Sequence, residues 1–250
     1  MDEEKIAEIE ALKDQGDYED AIRKIVESIV SASDDVERAR YLINQVVCAT
    51  NIDMKEMAYG AIAALYKLSL PSDWEPVRNY ITATSYLDFG RPQDASELFR
   101  INLDNPILLA NDFVVERYEN LAQYGFSLAY LGRYTEALRS LEEAQQLFPN
   151  GGFRGNIQMY KASCLGSLGR FEEAFLLAES VLRNETGEII VDAKLKMAEI
   201  RLAQSRFSDA LSLYREVEGN LPCPRVSAIN VKRGIETAMD GLIKNPGVMQ

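Results

Sequence analysis

Apolar positions recur at helical spacing from one end of this chain to the other, and no stretch alternates as a half-buried strand would. Ile6, Ile9 and Leu12 form one stripe, Gln15-Gly16-Asp17-Tyr18 turns the chain, and Ala21, Ile25 and Ile29 form a second. Two antiparallel helices joined in this way make an αα-hairpin, and glycine suits the corner because it tolerates the left-handed backbone that ends a helix. Hairpins are predicted over residues 5–31, 76–106, 118–151, 155–188 and 191–222, with a looser pair over 34–70 that lacks the glycine corner. In that pair Asp53 is expected to cap the second helix, with Glu56 completing a capping box. Ser72-Asp73-Trp74-Glu75 reads the same way at the next helix start, and Pro92 suits a first helical position, where no N–H partner exists. Residues 107–117 are an insertion that either extends the following helix backward through Phe113 and Val114 or forms a loop. Ala228, Val231, Ile235, Ala238 and Leu242 mark one face of a last helix, predicted over 225–244, that closes the end of the stack. A membrane-surface helix is the weaker alternative there, because Arg225, Lys232, Arg233 and Lys244 are few and no Trp accompanies them. The expectation is an all-α solenoid of about six antiparallel hairpins plus a capping helix, forming one domain over residues 1–250.

The corners repeat. Gly132, Tyr134, Ala137, Leu141, Ala144 and Pro149 stand at offsets 0, 2, 5, 9, 12 and 17, and Gly169, Phe171, Ala174, Ala178 and Val181 repeat the first five. Ser205, Phe207, Ala210, Tyr214, Val217 and Pro222 repeat all of them, with serine in place of glycine. Seven residues upstream stand Gly125, Ala162 and Ala198, with Ile9 and Ala83 in the first and third pairs. A small residue on each helix lets the two approach closely, the aromatic fills the wedge where they diverge, and the second small residue admits the next hairpin. This pattern resembles the tetratricopeptide repeat. The resemblance covers residues 118–222 best, 5–31 and 76–106 well and 34–70 weakly, and it implies a right-handed superhelix that binds other proteins.

Charge and composition narrow the classes. The chain has 250 residues, 47% of them hydrophobic and 26% charged, with a net charge of -12, so a packed core is expected and disorder is not. Residues 1–40 hold 13 acids against 6 bases, which reads as a solubilising face or a surface for a basic partner. An acidic chain is ill suited to nucleic-acid backbones or anionic lipid. The longest uncharged run, Asn120 to Gly132, is 13 residues, too short for the roughly 18 of a spanning helix. The acidic N-terminus lacks the apolar core of a signal peptide, and the three cysteines do not make a disulfide framework, so a cytoplasmic, reducing setting is expected. Cys164 is expected inside a hairpin and Cys223, between Pro222 and Pro224, at the surface. Histidine is absent, which removes His-based catalysis and His metal ligands. Glu142-Glu143 and Glu172-Glu173 point different ways on their helices, Asp34-Asp35 suits a helix start, and Gly151-Gly152-Phe153-Arg154-Gly155 lacks the strand and Lys-Ser/Thr of a phosphate loop. No enzyme, metal or cofactor is expected.

The resemblance implies that the first helix of each hairpin lines a concave groove. Tyr80, Thr84, Gln123, Phe126, Tyr130, Asn156, Met159, Tyr160 and Glu199 are the candidate partner-binding residues on that face. Aromatics supply contact area at little entropic cost, and amides can hold a peptide backbone. The bland alternative is that some of these rings pack between hairpins, with Tyr130 and Tyr160 the first to do so. Family members that grip the acidic tails of heat-shock chaperones use Lys and Asn at recurring groove positions. Here Tyr80, Ala122, Met159 and Leu195 stand for the Lys, and Thr84, Phe126 and Ser163 for the Asn, so the expected partner is another protein or peptide of apolar or basic character. The expected role is that of an adaptor or scaffold. A structural subunit of a larger complex and a regulatory peptide or ligand receptor are the rival readings, and the oligomeric state is left open.

Overall fold

A computed structural model describes residues 3–106, 115–149, 153–223 and 226–244. Among them the chain is all helical: α1 (Glu3–Asp14), α2 (Tyr18–Ser31), α3 (Asp35–Asn51), α4 (Lys55–Leu65), a 3-10 turn (Ser72–Trp74), α5 (Glu75–Asp88), α6 (Pro92–Leu103), α7 (Arg117–Tyr130), α8 (Tyr134–Leu147), α9 (Arg154–Ser167), α10 (Phe171–Asn184), α11 (Ile189–Ala203), α12 (Phe207–Glu218) and α13 (Ala228–Lys244). The helices group into two compact units, Met1–Ser127 and Leu128–Gln250. The predicted backward extension through Phe113 and Val114 lies outside the described residues.

The corners are built alike. Gly16, Gly90, Gly132 and Gly169 take φ between 72° and 81°, and at each the amide of the residue after the glycine closes back on a carbonyl five residues earlier. Arg133 N–H donates to Leu128 O at 2.9 Å and Arg170 N–H to Leu165 O at 2.9 Å, the six-to-one bond that satisfies an orphan carbonyl. The looser pair obeys the same rule with a different residue. Asp53 sits at φ 56° and Met54 N–H donates to Ala49 O at 2.8 Å, so Asp53 is the corner itself. It is not the cap of α4, which starts at Lys55 without a side-chain cap. Ser205, at φ 58°, plays the same part before α12.

Five residues past each corner stands an alanine: Ala21, Ala58, Ala95, Ala137, Ala174 and Ala210, all at 0% exposure. A methyl group there admits the facing helix at the shortest separation, and the stripes on either side join each hairpin to the next. In the first unit Ile9, Ile25, Tyr41 and Cys48 pack across α1, α2 and α3, and Leu42, Val46, Ile62 and Leu65 continue the core toward Trp74 and Ile81. In the second, Met159, Val181 and Ala193 join α9, α10 and α11, and Leu195, Tyr214, Val217 and Val231 join α11, α12 and α13.

Helix starts follow local chemistry. Asp34 accepts from Glu37 N–H at 2.8 Å, while the Glu37 carboxylate accepts from Ser33 N–H at 2.7 Å, so of the Asp34-Asp35 pair it is Asp34 that caps the helix, and Asp35 pairs with Arg38 in its first turn. Ser72 does not cap α5; Ser72–Trp74 is a separate 3-10 turn and α5 begins at Glu75. Pro92 opens α6 as expected. Cys164 is buried, and so is Cys223, contrary to the expected surface position: its backbone bridges to Val226 and its side chain joins the core beneath α13.

Candidate partner-binding groove

Within the second unit the last turn of α7, the start of α8 and the facing sides of α9 and α11 enclose an open groove of about 500 Å³. Tyr130, at the very end of α7, is 63% exposed because the chain turns away immediately after it. Its hydroxyl oxygen accepts from the Tyr160 hydroxyl at 3.0 Å, and the two rings meet edge to face with centroids 5.8 Å apart. Tyr134, Met159, Ser163 and Ser167 also line the groove. Asp192 and Lys196 bring charge to the far wall, and Lys196 Nζ donates to Glu199 Oε2 at 2.5 Å. Glu199 and Lys196 also border a smaller adjoining cleft of about 190 Å³.

Cys164 reaches this groove from the core. Burial pushes its thiol up to about 11, partly offset by the Lys196 charge, so it stays protonated and unreactive at neutral pH. With no histidine in the chain, the groove walls offer contact area, hydroxyls and one carboxylate–ammonium pairing.

The predicted site residues divide between the units. Tyr80, Thr84, Gln123 and Phe126 belong to the first. Tyr80 is half-buried against Phe99, centroids 5.9 Å apart, with its hydroxyl bonded to Gln123 and pushed well above the usual phenol range by burial. Thr84 hydroxyl donates to Ile81 O at 3.0 Å. Phe126 is only 5% exposed and Met159 only 4%, so both are core residues and neither offers a free side chain. Tyr130 and Tyr160 do touch each other between hairpins, as expected, yet present surface, whereas Phe126 and Met159 are buried. Helix geometry explains it, since Met159 lies on the side of α9 that meets Val181 and Ala193. Asn156 is half-buried and stands outside the groove lining. Tyr134 was missed because its offset from the corner marked it as wedge filler; it both fills the wedge and lines the groove.

The first unit has its own cavity of about 490 Å³, walled by Tyr59, Tyr66, Tyr86, Leu98 and Ile101. Here the molecule's own cations cover the ring faces: Arg91 lies 4.1 Å from the Tyr86 centroid, Arg78 5.4 Å from Tyr66 and Lys55 5.8 Å from Tyr59.

Residues 125–189 match the sequence profile of the tetratricopeptide repeat. No curated protein matches the chain in sequence. Among solved structures the chain is similar to a tetratricopeptide repeat protein from Parabacteroides merdae, with 15% identity over 91% of this chain and 80% of that one and a TM-score of 0.64. It is also similar to PilW, a type IV pilus biogenesis factor, with 14% identity over 94% and 96% of the two chains and a TM-score of 0.71. The apo form of RapI matches with 11% identity over 97% and 71% and a TM-score of 0.73. The fold is therefore that of the tetratricopeptide-repeat proteins, and this chain is one that carries the repeat.

Proposed function

We propose that this chain is a non-enzymatic interaction protein, an adaptor or scaffold, whose second unit holds a segment of another protein between Tyr130, Tyr134, Tyr160 and Lys196. The fold is of a generally protein-binding type. The observation that carries the reading is the exposed, hydroxyl-linked Tyr130–Tyr160 pair beside an open groove of about 500 Å³. Rigid rings with a polar tip give much contact area for little lost rotamer freedom, the property that makes tyrosine frequent at hot spots. The net charge of -12 and the groove carboxylate Asp192 favour an occupant of apolar or basic character. The three free cysteines suit a reducing, cytoplasmic setting.

The test replaces Tyr130 and Tyr160 together by Ala. Tyr130 is exposed and Tyr160 half-buried, so the variant is expected to melt within a few degrees of the parent while losing its main partner in an affinity pull-down read by mass spectrometry. A folded double variant that retains that partner moves the contact away from this groove and to another surface.

A further inference from the structure

The last helix is pinned in rotation by two glycines. A Cβ built on Gly234 would stand 2.3 Å from the Tyr214 ring, and one on Gly241 2.3 Å from the Phe207 ring. With Val231 and Ala238 these residues make the face of α13 that packs on α12. The opposite face is thereby fixed outward. Ile229, Lys232, Glu236, Met239 and Ile243 follow one another along it at alternating spacings of three and four, the seam of a two-stranded coil. Ile229 is 71% exposed, Met239 44% and Ile243 75%, on a helix whose inner side is already satisfied. Large apolar side chains at seam positions of an outward face are what a covering helix would bury.

We propose that a second copy of this chain covers that face, the two α13 helices lying antiparallel. The charges choose the occupant and the direction. The seam reads apolar, basic, acidic, apolar from Ile229 to Met239. Laid parallel, Lys232 would face Lys232 and Glu236 would face Glu236. Laid antiparallel about Gly234, Ile229 meets Met239 of the second copy and Lys232 meets Glu236 of the second copy, twice each by symmetry. The stripe is therefore complementary to its own reverse, the requirement of a two-fold interface. Anionic lipid is disfavoured, because Glu236 and Asp240 stand on the same exposed face.

Sedimentation equilibrium on the full chain tests this. The expected mass rises with concentration toward twice the 28.1 kDa of one chain. Lys232→Glu and Glu236→Lys each turn two attractions into two repulsions and weaken the dimer by about tenfold or more. Mixed in equal amounts, the two variants restore opposite charges at both crossings, and a dimer of one of each forms as tightly as the parent. Because that rescue needs both variants folded, it separates loss of the interface from loss of the helix. Ile229→Ser with Met239→Ser also yields monomer. A parent chain that stays monomeric up to millimolar concentration overturns the proposal and leaves the stripe to a different protein. A dimer indifferent to both charge variants overturns it as well, placing the contact elsewhere.

Discussion

Twelve residues past each corner the chain presents a side chain to the next hairpin, and the two units fill that slot differently. In the second unit it holds Ala144, Val181 and Val217, each fully buried and apolar. In the first it holds Ser28, Leu65 and, most notably, Asn102, at 0% exposure. Asn102 Nδ2 donates to Pro76 O at 2.9 Å and to Asn120 Oδ1 at 3.3 Å, and its Oδ1 accepts from Asn79 at 3.1 Å. Asn120 donates on to Phe99 O at 2.8 Å, and Asn79 accepts from the Tyr66 hydroxyl at 3.0 Å. One slot thus tolerates apolar side chains from Ala to Leu, a serine whose hydroxyl bonds within its own helix, or an amide whose hydrogen bonds are supplied by neighbours. The amide version specifies register, since a shifted helix would strand several polar groups at once; the apolar version packs wherever volume allows.

The most damaging way to break this difference is to put the second unit's residue into the first. Asn102→Val leaves the Asn79 amide, the Asn120 oxygen and the Pro76 carbonyl each short of a partner, and is expected to destabilise by about 3 kcal/mol. Trp74 is the single tryptophan of the chain and packs in the first unit's core, so its fluorescence during urea unfolding reads the loss there. Changing Asn79 and Asn120 to apolar residues in the same chain should recover part of it, because the two stranded amides are then gone, while the Tyr66 hydroxyl and the Phe99 and Pro76 carbonyls still lose a partner. Ala174→Leu is the matching insult to the second unit. It overpacks a fully buried position and is expected to destabilise by about 1–3 kcal/mol in circular dichroism. An Asn102→Val variant as stable as the parent removes the ladder from the account.

Most of the hairpin architecture could be read from spacing alone, because the corner and the alanine five residues on are local requirements of two helices meeting closely. The pair over 34–70 is exceptional only in lacking glycine at its corner, where Asp53 stands instead. Its alanine, Ala58, stands at the regular offset from Asp53 and carried the missing signal. The face of each first helix was less legible. Phe126 and Tyr130 differ by about one helical turn, and whether a ring there is buried depends on where the helix stops, which no periodicity reports. The amide ladder was hidden for a related reason: an asparagine late in a helix looks like a solvated residue until the carbonyls around it are placed. Gly234 and Gly241 also looked unremarkable, and only the rings of Tyr214 and Phe207 show why they are glycine.

The corners offer a gentler comparison, since both units contain one that is not glycine. Asp53 in the first and Ser205 in the second hold φ of 56° and 58°, a region L-residues occupy at some expense. Asp53→Gly and Ser205→Gly relieve that strain and are each expected to stabilise by about 0.5 kcal/mol, the gain being trimmed by the extra freedom glycine has in the unfolded chain. Gly132→Ala runs the other way, losing about 1 kcal/mol. Thermal melts of the three variants check both signs, and a destabilised Asp53→Gly would show that its side chain does more than tolerate the turn.

The smallest effect concerns the clasp that follows the corner. Arg133 pairs with Glu136 at 2.6 Å, Arg170 with Glu173 at 2.6 Å and Arg206 with Asp209 at 2.5 Å, and Arg91 repeats the pairing with Asp94 at 2.7 Å in the first unit. The Arg170 guanidinium holds the Glu173 carboxyl below the usual glutamate range, first by hydrogen bonding and then by charge, and Arg133 does the same for Glu136. A carboxyl whose folded pKa is depressed supports the fold above its unfolded pKa, and that support fades as the pH falls through the folded value. Both pairs are fully exposed, so solvent screens them and neutral-pH stability is expected to change little on Arg170→Ala. The sensitive readout is the titration of Glu173 followed by NMR, which should move upward in Arg170→Ala while Glu136 stays where it was. If the Glu173 titration is unmoved, the clasp is a crossing of two mobile side chains and the corner is held by its backbone bonds alone.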